Sequence, residues 1–145
     1  MREATGNLWT YPADYRVITT NGCVRRDGAC VMGRGCAREA ARRWPDLPYV
    51  LGTAIQRMGN RVYFLADYNI FTFPVKHHWQ DAADLALIAE STAALAPQLV
   101  STATYVMPRP GCGNGQRQWD DVRPLLLDLP DNVVVIDFGG VHATA

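Results

Sequence analysis

The chain of 145 residues carries 14 Lys+Arg against 14 Asp+Glu, so its formal net charge is zero. That balance argues against a protein that grips nucleic acid chiefly through counterion release. It leaves room for a small anion held by backbone N–H groups, which no charge count records. The length fits one domain over residues 1–145, enough to bury a core without staples.

No apolar stretch approaches the roughly 20 residues of a membrane span, so no membrane partner is expected. Cys23, Cys30, Cys36 and Cys112 contain no Cys-x-x-Cys pair and match no common zinc spacing. They read as reduced, mostly buried thiols. With no apolar leader after Met1, the expected location is cytoplasmic.

Taken in order, residues 1–9 read as a short edge strand ending in Thr5-Gly6-Asn7-Leu8-Trp9. Tyr15 to Thr20 is rich in β-branched residues and predicts a strand. It runs into Asn21-Gly22 and a polar turn, Arg25 to Gly28. Val31-Met32-Gly33-Arg34-Gly35 is a Gly-rich loop that leads into a helix. There Ala37, Ala40, Ala41 and Trp44 fall on one face, and Pro45 ends the run. Leu47 to Met58 is a further helix or an irregular turn, since Pro48 and Gly52 interrupt it.

Arg61 to Leu65 and Ile70 to Lys76 predict two strands, with a hairpin connection between them. A helix follows from Gln80-Asp81, with Leu85, Ile88, Thr92 and Leu95 inward and Pro97 closing it. Asp81 and Asp84 suit its positive end. Thr102 to Met107 is a strand. After it comes Gly111-Cys112-Gly113-Asn114-Gly115, and then a helix capped by Asp120 or Asp121 so that Pro124 falls in its first turn. Val133 to Asp137 is a continuous apolar strand of the kind buried on both faces, and Val141 to Ala145 is a frayed tail. Strands alternating with helices give an α/β fold whose central sheet is mixed and mostly parallel.

Chemistry concentrates at the two Gly loops. Each lies between a strand and a helix, where backbone N–H groups can face an anion. Alone, each is equally a tight turn; together they could close on a diphosphate from both sides. Neither is a Rossmann fingerprint or a P-loop.

Lys76 ends an apolar strand, in a chain whose other basic positions are nearly all arginine. It either marks where the strand meets water or is a desolvated amine fit for nucleophilic or electrostatic work. Asn21 either hydrogen-bonds a ribose hydroxyl or makes an Asn-Gly turn. His77 and His78 have no third ligand at convincing spacing, so no metal site is expected, and no cofactor.

Taken together, these stretches resemble the macrodomain family from about Thr5 to about Val135. Thr5-Gly6-Asn7-Leu8 resembles the element near the adenine, and Val17 to Asn21 the strand that ends near the distal ribose. Val31 to Ala37 resembles the first phosphate loop and Gly111 to Gly115 the second. Phe73-Pro74-Val75-Lys76-His77-His78-Trp79, with Gly-Cys-Gly and Trp119, is similar to one branch. That branch holds the DNA ADP-ribosyl glycohydrolase DarG and the terminal ADP-ribose protein glycohydrolases.

The resemblance implies a three-layer α/β/α sandwich that binds ADP-ribose and releases it from modified DNA or protein. It implies a ligand surrounded by Asn7, Leu8, Asn21, Met32, Gly33, Arg34, Gly35, Cys36, Lys76, Gly111, Cys112, Gly113, Asn114 and Gly115. Lys76 would be catalytic, with Asn21 beside it. Two departures stand out: the usual adenine-side aspartate is Asn7, and the helper acid of the protein-directed enzymes is Gly115. The competing readings are a non-catalytic reader of ADP-ribose and a phosphatase acting on ADP-ribose 1″-phosphate.

Overall fold

In the computed structural model, residues 1–138 are described. Six strands form one sheet: β1 (Arg2–Thr5), β2 (Tyr15–Asn21), β3 (Phe64–Leu65), β4 (Ile70–Lys76), β5 (Tyr105–Pro108) and β6 (Val133–Asp137). Their order is β1-β6-β5-β2-β4-β3. Every neighbouring pair is parallel except β3 with β4. The helices are α1 (Gly35–Arg43), α2 (Leu47–Met58), α3 (Leu85–Leu95) and the short α4 (Trp119–Val122).

The period-2 pattern of the strands builds two cores. Val17, Phe71, Phe73, Val75, Tyr105, Met107, Val133 and Val135 face one side and pack against α3 and the α4 region through Ile88, Leu95, Val122 and Leu126. Ile18, Ile70, Val106, Val134 and Ile136 face the other and pack against α1 and α2 through Cys36, Ala37, Ala40, Leu47 and Leu51. All seven residues of β4 are buried, as covering on both faces requires. The result is a three-layer α/β/α sandwich with a mixed, mostly parallel sheet.

Several boundaries differ from the sequence expectation. The first strand stops at Thr5, because the Asn7 carbonyl accepts from Thr10 and Tyr11 and turns the chain. The expected strand Arg61–Leu65 shrinks to Phe64–Leu65. There the Thr72 hydroxyl takes the Tyr63 N–H at 2.9 Å and donates to the Arg61 carbonyl at 3.4 Å, replacing ladder bonds. Leu47–Met58 resolves as a helix, with Pro48 tolerated in its first turn.

α3 starts at Leu85 instead of Gln80-Asp81. The Asp84 carboxylate caps it, accepting from the N–H groups of Ala86 (2.9 Å) and Leu87 (3.4 Å). Pro97 does not stop the chain at once but sits in a 3₁₀ turn, Ala96–Gln98. Asp120 and Asp121 fall inside the first turn of α4, and Gln118 takes the cap position. Pro124 lacks an N–H, and the chain tightens there into a 3₁₀ turn, Arg123–Leu126. The expected tail Val141–Ala145 lies outside the described residues.

Candidate active site

Parallel strands bring their carboxyl ends to one edge of the sheet. A cleft of about 290 Å³ opens there, beyond β2, β4 and β5. One wall is the first Gly loop and the start of α1; the other is the second Gly loop. Among the expected site residues, Asn21, Met32, Gly33, Arg34, Lys76, Gly111, Cys112, Asn114 and Gly115 line it. Asn7, Leu8, Gly35, Cys36 and Gly113 do not.

Each of those five has a structural position that accounts for it. The Asn7 Oδ1 accepts from the Trp9 N–H at 2.8 Å, holding the turn after β1, and Leu8 is fully buried. Cys36 is fully buried with its Sγ 3.3 Å from the Thr19 Oγ1. Burial pushes its thiol up. Gly35 and Gly113 have φ of 58° and 81°, the left-handed region that favours glycine.

Asn21 is committed to the scaffold. Its Nδ2 donates to the Val31 carbonyl at 2.9 Å, and its Oδ1 accepts from the Cys23 N–H at 3.0 Å. It therefore fixes the first loop to the end of β2, and one Nδ2 hydrogen is left over by valence. Gly33 sits on this loop with nothing within 4 Å of where a Cβ would stand. Behind it, the first N–H groups of α1 have no intrahelical acceptor.

The second loop is tightly drawn. Gly111 has φ of 76°, and a Cβ there would lie 2.8 Å from Ile88 Cδ1. A Cβ on Gly115 would lie 2.3 Å from the Gly111 carbonyl oxygen. The Arg117 N–H donates to the Gly111 carbonyl at 2.9 Å, and the Ala83 N–H to the Gly115 carbonyl at 2.9 Å. Gly115 is thus demanded by close packing, and that same packing leaves no room for an acidic side chain.

Lys76 is the only lysine in the chain. It is 9% exposed, and its Nζ donates to the carbonyls of Trp79 and Asn114, each at 3.2 Å. Burial lowers its pKa, the Arg34 guanidinium lowers it further, and Asp81 opposes them. The amine is held at the cleft wall in a form that loses its proton more readily than an ordinary lysine.

Thr19, Thr20, Val31, Ala37, Val75 and Trp79 also line the cleft and were not expected there. Most sit at or near strand ends, which is where an open α/β sheet places ligands. Among the described residues, no aspartate, glutamate or histidine side chain lines the cleft. Among the described residues no group of three His, Cys, Asp or Glu could hold a metal ion. None of the described helices is long and apolar enough to cross a membrane.

This fold recurs in solved structures. The macrodomain of Mycobacterium tuberculosis DarG superposes with a TM-score of 0.77 at 24% identity, covering 93% of this chain and 95% of that one. The macrodomain of Thermus aquaticus DarG gives 0.75 at 28% identity, with the same coverage. Thermosipho africanus DarTG, solved in complex with ADP-ribose, gives 0.73 at 20% identity over 90% of this chain and 39% of that one. The chain is therefore a macrodomain.

Within that fold it is similar to the DarG macrodomains. A Mycobacterium tuberculosis protein named DNA ADP-ribosyl glycohydrolase is 30% identical over 135 residues, 83% of this chain. The chain spans 37% of that relative's length. No protein-family model matches the chain.

Proposed function

We propose that this macrodomain binds ADP-ribose in the cleft and hydrolyses it from a modified macromolecule, DNA before protein, with Lys76 as the reacting group. The observation that carries this is the buried, pKa-lowered Lys76 amine in a cleft lined, among the described residues, by no carboxylate or imidazole. The diphosphate would lie between the loops at Gly33 and Gly111 to Gly115, and the distal ribose against Lys76 and Asn21. Asn7 and Leu8 hold the turn after β1. The DNA acceptor follows the name of the mycobacterial relative and the glycine at position 115. A cytosolic setting goes with this reading.

The anomeric carbon gains oxocarbenium character as its bond to the acceptor breaks. A neutral amine can meet that charge where an ammonium would repel it. Lys76 Nζ then forms a bond to this carbon as the acceptor leaves, and the amine's proton passes to the departing atom. Water next adds to the carbon, and the amine leaves with its proton restored. Net, one water is consumed, and ADP-ribose and the unmodified acceptor are released.

The test uses ADP-ribosylated oligonucleotide and ADP-ribosylated protein with wild type and Lys76→Ala. The variant should release ADP-ribose on the order of 100-fold more slowly or worse. The lysine glycosylamine can open its ring to an iminium, which cyanoborohydride should reduce to an adduct that maps to Lys76, and the single lysine makes that assignment unambiguous. Tight ADP-ribose binding with no release by wild type would leave a reader instead; an equally active variant would remove the lysine mechanism.

A further inference from the structure

We propose that Asn60 is a positioning residue for Lys76, holding the end of β4 so that the amine stays at the cleft wall. The role rests on the reading of the cleft as an ADP-ribosyl-releasing site. β2 and β4 pair regularly up to Thr20 with Pro74, and the next pair is Asn21 with Lys76, so Val75 is an extra residue. Such a bulge leaves the backbone of the lysine without a regular ladder to fix it. On its other side β4 pairs with β3 only through Ile70 and Phe71.

Three donors from outside the strands finish β4 instead. The Ser91 hydroxyl donates to the Pro74 carbonyl at 2.7 Å, and the Asp84 N–H to the Val75 carbonyl at 2.8 Å. The Lys76 carbonyl accepts from Asn60 Nδ2 at 3.0 Å. Asn60 stands half-buried in the loop between α2 and β3 and does not line the cleft. Its amide also packs on Gly22, where an added Cβ would lie 2.9 Å from both Cγ and Nδ2. One side chain thus ties the exit of β2 to the exit of β4.

The amine depends on that tie. Its place between the carbonyls of Trp79 and Asn114 follows from where the Lys76 backbone sits. Burial is the main influence lowering its pKa, the Arg34 guanidinium adds to it, and Asp81 opposes both. Cys112 shares the cleft wall, and His77 faces Asp84 at 3.2 Å. Removing the Asn60 amide alters none of these groups. It frees the strand end, water reaches the amine, and the proton is held more firmly.

The experiment compares wild type, Asn60→Leu, Asn60→Ala, Gly22→Ala and the Gly22→Ala/Asn60→Ala double variant. Leucine keeps the bulk of Asn60 without a donor, and Gly22→Ala pushes the amide aside while leaving Asn60 in the chain. Lysine isotopically labelled at Cε gives a single NMR resonance, since the chain has one lysine, and its titration reads the amine directly. Asn60→Leu and Gly22→Ala should each move that titration up towards 10.5. Each should slow release about tenfold at neutral pH. ADP-ribose affinity should stay near wild type, and in the Asn60→Ala background Gly22→Ala should change little. Wild-type titration or wild-type release in folded Asn60→Leu or Gly22→Ala protein would overturn the role. So would affinity that falls in step with release, or an equal Gly22→Ala effect in both backgrounds.

If wild type releases nothing from any substrate, the release reading fails and the titration alone decides. An upward move in Asn60→Leu and Gly22→Ala supports the tie, and an unmoved midpoint overturns it.

Discussion

Gly33 offers a clean separation of ligand binding from folding. It lies at the cleft wall, and a Cβ there meets no atom within 4 Å. Its φ is outside the left-handed region, so an L side chain is not strained. A leucine at this position should therefore enter ligand space without displacing protein, and stability should change by no more than about 0.5 kcal/mol. Binding should respond differently.

A hydrogen bond to a charged group contributes about 1.5–3 kcal/mol. Pushing a diphosphate off two backbone N–H groups then costs about 3–6 kcal/mol, or roughly 10²- to 10⁴-fold in Kd. Calorimetry with ADP-ribose measures the affinity, and urea unfolding of the same sample measures the stability. Wild-type affinity in a fully folded Gly33→Leu protein would refute the phosphate-cradle account. A residue added at Gly113 is a poorer probe, since its φ of 81° would strain the loop itself.

Gly111→Ala should behave in the opposite way. The left-handed backbone and the contacts with Ile88 and Ala83 should lower stability by about 2–5 kcal/mol, read from urea midpoints. Release should rise with pH as the Lys76 amine loses its proton, levelling off below the ordinary lysine value of 10.5. Arg34→Ala removes one lowering influence, so the single-turnover profile should move to higher pH. Lys76 also sets a stability trend: between its lowered folded pKa and its unfolded value the unfolded chain binds more protons, so its contribution rises with pH. Asp84 is held below 3.8 by the Leu87 and Ala86 N–H groups and by His77. Its contribution is present above pH 3.8 and lost as pH falls through the folded pKa, so Asp84→Ala should melt earlier than wild type at neutral pH and converge with it in acid.

Where local pattern and tertiary demand agree, the sequence was legible. β2, β4 and β6 are dense in β-branched and aromatic residues, and all three appear close to their expected bounds. The start of α3 was misplaced because two aspartates were equally good caps, and only the fold presents the Ala86 and Leu87 N–H groups to Asp84. The short α4 follows from Pro124, whose effect on the second turn was underrated. At the site, the Gly loops and Lys76 were visible as spacing. Trp79 was within the quoted motif, yet nothing in the spacing says that its carbonyl meets the amine three residues back. Nor does spacing reveal that Asn21 spends both polar atoms on its own scaffold.

The pairing of β1 with β6 has a kinetic consequence. Arg2 sits opposite Val134, and its Nε donates to the Asp131 carbonyl 129 positions away at 2.8 Å. An edge joined across so much sequence requires a long loop to close before any pairing rewards it. β1 can therefore settle only after β6 is in place, while β2, β4 and their helices need not wait. The last seam of the sheet to close during folding is expected to be this one, and hydrogen exchange during refolding should show the Arg2–Thr5 amides protected last.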